Sequence, residues 1–476
     1  MFILTSKLKI FAIVLMVIGA LMTVAGFLLV PTDDDIRGMI SGHGDHHGTE
    51  YVKVGYGDSH SHDHNESNPH KETGYVTDNS THAMEHDSVH MDSHEVGEHH
   101  GSDTDFEHVS HQVHNRPWSA VYVAAFFFFM IGLGALVFHA LQKAAQSGWS
   151  IVLFRVFEGV SSYILPGGII MFILLCLAGF HVTHIFHWMD PEVVDIDNPH
   201  YDALIAGKTG FLNVPFFLAR AAAFLIGWNL YRWNIRRFGL KQDEEPKGNV
   251  WYKKGFKHSA MFLVFFLVTE SIMSWDWIMS FDPHWFSTLF GWYILAGMMV
   301  SAITTIAIVT IYLKSIGYLE YVNNSHIHDL AKFMFGFSIF WTYLWFSQFM
   351  LIWYSNIPEE VTYYVTRIQD YNLVFFGMVA INFLLPVLIL MNSDFKRVNW
   401  FVVTAGIFII IGHYLDIYVA IMPATVGKSW FIGLPEIGAF LFFAGLFVMY
   451  VFNTLTKAPL VVKHDPFIGE SKHFHY

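Results

Sequence analysis

Nine ionisable side chains stand inside stretches that are otherwise apolar: Arg220, Glu270, Asp276, Asp416, Glu436, His139, His181, His184 and His413, with His187 at the edge of one stretch. A charged group in hydrocarbon costs about 2.5–3.5 kcal/mol or more, so each such residue is a candidate for a proton path or an ion pair. His413 and Asp416 are three residues apart, as are His181 and His184. On a helix that spacing puts two side chains on one face, within reach for proton exchange. Chains of carboxylates and imidazoles accept and export protons. The plainer reading is a set of buried ion pairs in which Arg220 neutralises Glu270, Asp416 or Glu436. Bis-histidine haem needs two facing imidazoles at matched depth. His181 and His413 meet that condition, but no helix repeats histidine for a second haem and no C-x-x-C-H occurs. No bound cofactor is therefore expected in the chain itself.

These residues need helices to hold them, because hydrocarbon leaves no water to satisfy an open backbone and about 20 apolar residues are needed to cross it. Ten segments qualify: 8–30, 118–142, 163–188, 214–236, 256–280, 288–313, 330–354, 371–392, 399–421 and 431–454. The first reads as a retained helix, since no A-x-A site precedes Pro31. At about 1.5 Å per residue, Glu270 lies roughly 15 Å deep. Arg220, Asp276, Asp416, Glu436, His181, His184 and His413 fall within about 6–12 Å of one surface by the same count. The other half offers only His139 near its rim and uncharged side chains such as Ser301, Thr304, Ser338 and Asn382. This one-sidedness predicts a wet half-path ending at Glu270.

The composition agrees: 476 residues, 54% hydrophobic, 17% aromatic and 14% charged, with a mean hydropathy of +0.40. Soluble domains are about 25% charged. Residues 31–116 hold 18 of the 40 acidic residues, 4 of the 27 basic ones and 16 of the 29 histidines, so that segment carries -14 of a net charge of -13 and the rest of the chain sums to +1. A soluble enzyme, a nucleic-acid binder and a disulfide scaffold are excluded, the last because Cys176 is the single cysteine. The insert 31–116 has too few apolar residues to bury a core and reads as a disordered spacer. Its histidines, among them His43, His46, His47, His60, His62 and His64, suit weak chelation of zinc, copper or nickel. Nineteen Lys and Arg residues fall in the loops and helix ends on the side of the chain termini and seven on the other. The positive-inside rule then puts both termini in the cytoplasm and 31–116 in the periplasm of a bacterial inner-membrane protein.

Two runs go beyond composition. ESIMSWDWIMSFDPHWFSTLFGWY (270–293) and WFSQFMLIWYSNIPEE (345–360) resemble the NrfD/PsrC-type membrane subunits of bacterial alternative complex III, most closely its second quinone-related subunit, ActF. The resemblance covers the ten-helix body and not the insert. It implies an all-α integral membrane fold in which helices 2–5 (117–281) and helices 6–9 (282–422) form two four-helix bundles, flanked by a first helix (1–30) and by a tenth helix with its tail (423–476). It implies a place in quinol:cytochrome c or quinol:oxidase electron transfer. The partners would be a homologous NrfD-like membrane subunit, periplasmic iron–sulfur and multihaem cytochrome c subunits, lipids and a terminal oxidase. Quinol, such as menaquinol, is the ligand class it brings. Glu270, Asp276, Asp282, His284, Gln348, Glu359 and Glu360 are the motif positions; Asp282, His284 and Gln348, with His139, are the quinone-related candidates. A proton-coupled secondary transporter and a purely structural membrane anchor are the competing functions. The transporter lacks a clear pair of Gly/Pro-broken helices at matching positions.

Overall fold

The computed structural model describes residues 2–41, 100–245 and 248–475, with side chains described except at 38–41 and 100–108. His43, His46, His47, His60, His62 and His64 lie outside the described residues. No strand occurs among the described residues. Ten helices are long and apolar enough to cross a membrane, as befits a multi-pass membrane protein: α1 (Ser6–Leu28), α2 (Val109–Ala144), α3 (Gly148–Gly179), α4 (Val214–Glu244), α5 (Val250–Phe281), α6 (Leu289–Ser315), α7 (Asn324–Ser355), α8 (Asn372–Leu390), α9 (Asn399–Val426) and α10 (Leu434–Leu455). Each corresponds to one of the ten apolar segments of the sequence.

The boundaries follow local chemistry. Asn213 caps α4 by accepting from the Phe216 amide at 3.0 Å, with Pro215 in the first turn. At the start of α7, Asn323 and His326 cap each other's backbone. Two ends differ from expectation. The third segment stops at Gly179, not at 188, although FHVTHIFHW stays apolar. His181 takes the left-handed conformation (φ 57°), and the Val182 amide bonds back to the Leu177 carbonyl, a helix stop that composition does not encode. α9 runs past 421 to Val426. The two edges of the insert are helical, over Asp33–Ser41 and from His100 into α2.

Two compact units divide the chain, residues 33–110 and the remainder. In the smaller, the Ser110 hydroxyl donates to Asp33 at 2.8 Å. In the larger, α2 and α6 are central, their most apolar turns 94% and 83% buried against 11% for α1. They touch where a β-carbon on Gly134 would sit 2.6 Å from the Met298 carbonyl oxygen. α3 packs on α4, α4 on α5, α5 on α6, α6 on both α7 and α9, and α8 on α9. α1 packs chiefly on α10, through Gly19, Gly438 and Gly445; side chains on the α10 glycines would meet the Thr23 amide and the Ala12 carbonyl, each at 2.6 Å. Both chain ends lie at one end of the helices, where the Ile3 amide reaches the Tyr318 hydroxyl at 3.4 Å and Asn323 donates to the Phe474 carbonyl at 2.6 Å. That is the terminal end; residues 180–213, 282–288, 356–371 and 427–433 make the loop end.

Candidate functional site

His413 and Asp416 share one face of α9, with His413 Nδ1 3.4 Å from Asp416 Oδ2. The helix presents both to α6 and α7. The Tyr293 hydroxyl of α6 donates to Asp416 Oδ1, and the Trp341 indole of α7 donates to Oδ2 at 2.9 Å. All four side chains are buried. Both carboxylate oxygens are thus held by neutral donors, and among the described residues no Lys or Arg forms an ion pair with Asp416. Hydrogen bonds to the ionised form stabilise a buried charge without a counter-ion. The carboxylate can take a proton without breaking a salt bridge, and its imidazole neighbour can pass one.

Asp416 also reaches the wall of a small pocket at the loop end, lined by aromatic rings together with Gln348 and Arg367. Trp285 stacks on Tyr363 with centroids 3.9 Å apart. The Ser287 hydroxyl donates to Gln348 Oε1 at 2.6 Å. Arg367 comes from the helix Pro358–Gln369 and lies 3.3 Å over the Tyr363 ring, donating to the Tyr363 and Ala420 carbonyls at 2.8 and 3.3 Å. Burial among these rings raises the Tyr363 and Tyr364 hydroxyls above the ordinary phenol range. Tyr293, Trp341 and Arg367 were not among the residues singled out from the sequence. In the sequence Tyr293 stands only as the last residue of the first run, and Arg367 as one loop charge among seven.

The remaining candidates fall into separate places. Arg220 does not neutralise Glu270, Asp416 or Glu436. It makes a bidentate pair with Asp276 at 2.7 and 2.9 Å, donates to the Phe211 carbonyl at 3.1 Å and stacks over Phe211 and Phe216. Glu436 pairs instead with Arg116 at 2.8 and 3.1 Å and accepts the Gly433 amide at 2.8 Å, so it caps α10. Both carboxylates are thus paired with an arginine. Glu270 is buried and accepts from Ser274, one turn further along α5, at 3.0 Å. No hydrogen bond or ion pair among the described residues joins it to Asp276 or Asp416. Counted from the helix ends at Phe281 and Val426, Glu270 and Asp416 are also about equally deep, roughly 15 Å each.

His181 and His184 do not share a helix face, because α3 has already ended. The His184 carbonyl accepts from Asn115 at 2.8 Å, and its ring meets His111 edge-on at 5.1 Å. Burial first, and the neighbouring His111 next, hold the His184 imidazole below its ordinary pKa, with Asp190 opposing and His181 adding to the depression. Asp282 is half-buried in its turn, and the exposed His284 sits 2.5 Å from Asp202. Burial raises the Asp202 carboxyl, but the Ile205 and Leu204 amides and His284 outweigh it and hold the group below the ordinary carboxylate range. His139 belongs near the terminal end, packed against Phe154 and Phe157, with both ring nitrogens unpartnered among the described residues. It stands apart from Asp282, His284 and Gln348, which line or adjoin the loop end. Glu359 and Glu360 occupy the first turn of the helix Pro358–Gln369. Among the described residues, no group of three His, Cys, Asp or Glu side chains is arranged to hold a metal.

Comparison with protein-family models and with curated protein sequences returns no match.

Proposed function

We propose that the chain is an integral membrane subunit of a quinol:cytochrome c or quinol:oxidase oxidoreductase complex. In this reading it scaffolds periplasmic redox subunits and passes protons through Asp416 and His413. The electron-transfer centres belong to the partner subunits, and a homologous membrane subunit stands beside this one in the bilayer. One observation carries the proposal. The two sequence runs that resemble alternative complex III subunits converge on one cavity: Trp285, Phe290 and Tyr293 from the first, Trp345 and Gln348 from the second, with Asp416 in the wall. Flat aromatic slots with a few polar atoms suit a quinone ring, and a buried carboxylate with an adjoining imidazole suits proton acceptance. Packing of α3, α4 and α5 in sequence, and of α7 and α9 on α6, supports two four-helix bundles joined back to back at Gly134 and Met298. The basic residues gathered at the terminal end support a cytoplasmic location for both termini.

The test is Asp416→Asn in the purified complex. The amide oxygen accepts from the Trp341 indole, the amide nitrogen donates to the Tyr293 hydroxyl oxygen, and the group cannot hold the proton. Quinol-dependent proton release should fall about 10²-fold or more, with assembly intact. If the variant oxidises quinol and releases protons at the parent rate, the proton role is wrong and the anchor reading stands. A parent protein that purifies alone, without haem or iron–sulfur partners, and carries solute flux in vesicles would favour the transporter.

A further inference from the structure

The α6 residue facing His413 and Asp416 is Gly297. A β-carbon placed there would lie 3.5 Å from His413 Nδ1, 3.6 Å from Asp416 Oδ2 and 3.7 Å from Trp341 Cδ1. These are ordinary van der Waals distances, so the glycine leaves room for a methyl-sized group at the mouth of the carboxylate–imidazole pair. By contrast, a β-carbon on Gly134 of neighbouring α2 would meet a carbonyl oxygen at 2.6 Å, because there the helices touch. Close approach of backbones therefore does not account for glycine at 297.

A second observation comes from the same level of the helices. His413 is fully buried; its Nδ1 faces Asp416, and its Nε2 has no partner among the described residues. Gly412, beside it, abuts the amide of Asn382, whose oxygen and nitrogen both lack a partner among the described residues. Asn382 lies in a π-helical turn of α8, Ala380–Leu384, which packs against α7 and α9. Such turns interrupt the regular ladder and recur at functional sites. One turn from Gly297 on α6 is Ser301, and one turn from Trp341 on α7 is Ser338; both hydroxyls are buried and without a partner among the described residues. Unpartnered buried groups cost about 1–3 kcal/mol each, and proteins satisfy them with ordered water where there is room.

We propose that Gly297, His413 and Asp416 form a built water site, a cradle in which an ordered water bridges the imidazole and the carboxylate, continued by further waters on Asn382, Ser338 and Ser301. The ligand is water. The site stands whether or not the chain belongs to a redox complex; only its use in proton transfer rests on the function proposed above. Through it, Asp416 exchanges protons with groups on α6, α7 and α8 that its own side chain cannot reach.

Gly297→Ala tests this, because the added methyl fills the cradle without a clash. A density map of the parent that resolves buried waters should show one between His413 and Asp416, and the map of the variant should lack it. The melting temperature should be unchanged or higher, since alanine favours helix. Proton release should slow about tenfold. A parent map that resolves other buried waters but none in the cradle overturns the site, and so does a variant that melts several degrees lower. If the water is lost and proton release is unaltered, the water site holds and the proton role of Asp416 falls.

Discussion

Asp276 and Asp416 are both buried carboxylates in the same apolar body, and they are held by opposite kinds of partner, an arginine for the first and neutral donors for the second. Asp276 is locked by Arg220 through two hydrogen bonds, and the guanidinium is spread over two phenylalanine rings. Breaking such a pair leaves a bare charge, which costs about 3–5 kcal/mol, whereas replacing both partners by apolar residues is often tolerated. Asp276→Leu alone is therefore expected to lower the recovery of folded protein in detergent sharply, and Arg220→Leu with Asp276→Leu to restore much of it. Size-exclusion profiles would check this; equal recovery of the single and double variants would show that the pair is not what matters. The pairing itself was not legible in the sequence. Spacing along one helix shows which residues share a face, and so His413 and Asp416 could be joined in advance. It does not show which residue of another helix stands opposite, so Arg220 was matched with Glu270, Asp416 or Glu436, and Tyr293 and Trp341 were passed over.

At the level of elements, apolar length was enough to locate all ten membrane helices, because hydrocarbon tolerates so few alternatives. What it could not locate were stops made by backbone geometry. α3 ends where His181 turns left-handed, and the π-helical turn in α8 has no compositional mark. The contact between α1 and α10 is another case in which small residues decide the outcome. Backbones meet at Gly19, Gly438 and Gly445 without side chains between them, the arrangement that lets helices associate in lipid by close packing. Gly438→Val should push the Thr23 region of α1 away while leaving the rest of the body in place. Limited proteolysis before and after substitution should then release α1 from the variant only; release from both, or from neither, would count against a glycine-dependent seam.

Across the whole molecule, the C-terminal segment after α10 is a strap over the terminal end. The Lys463 amide and His464 bond to Asp243 of α4, Asp465 approaches Lys143 of α2 at 3.7 Å, and the Ser471 hydroxyl donates to the Trp149 carbonyl and accepts from the Val152 amide, both in α3. His326 of α7 contacts the Ser471 carbonyl at 3.1 Å. Ser471→Val leaves one buried amide and one carbonyl without these partners and is expected to lower the thermal midpoint by several degrees, at about 1–3 kcal/mol per unmet group. An unchanged melting curve would mean the strap is ornamental. None of this was legible beforehand, since a polar tail of mixed charge reads as a solvated end. The seam between α1 and α10 has a consequence in time as well as in space. α1 is the first of the ten helices to leave the ribosome and α10 the last, and at about 5–20 residues per second tens of seconds separate them. Throughout that interval α1 must wait in the lipid without its partner, which a helix apolar on nearly every side can do. The clasp that joins the two can close only once synthesis of the other eight is over.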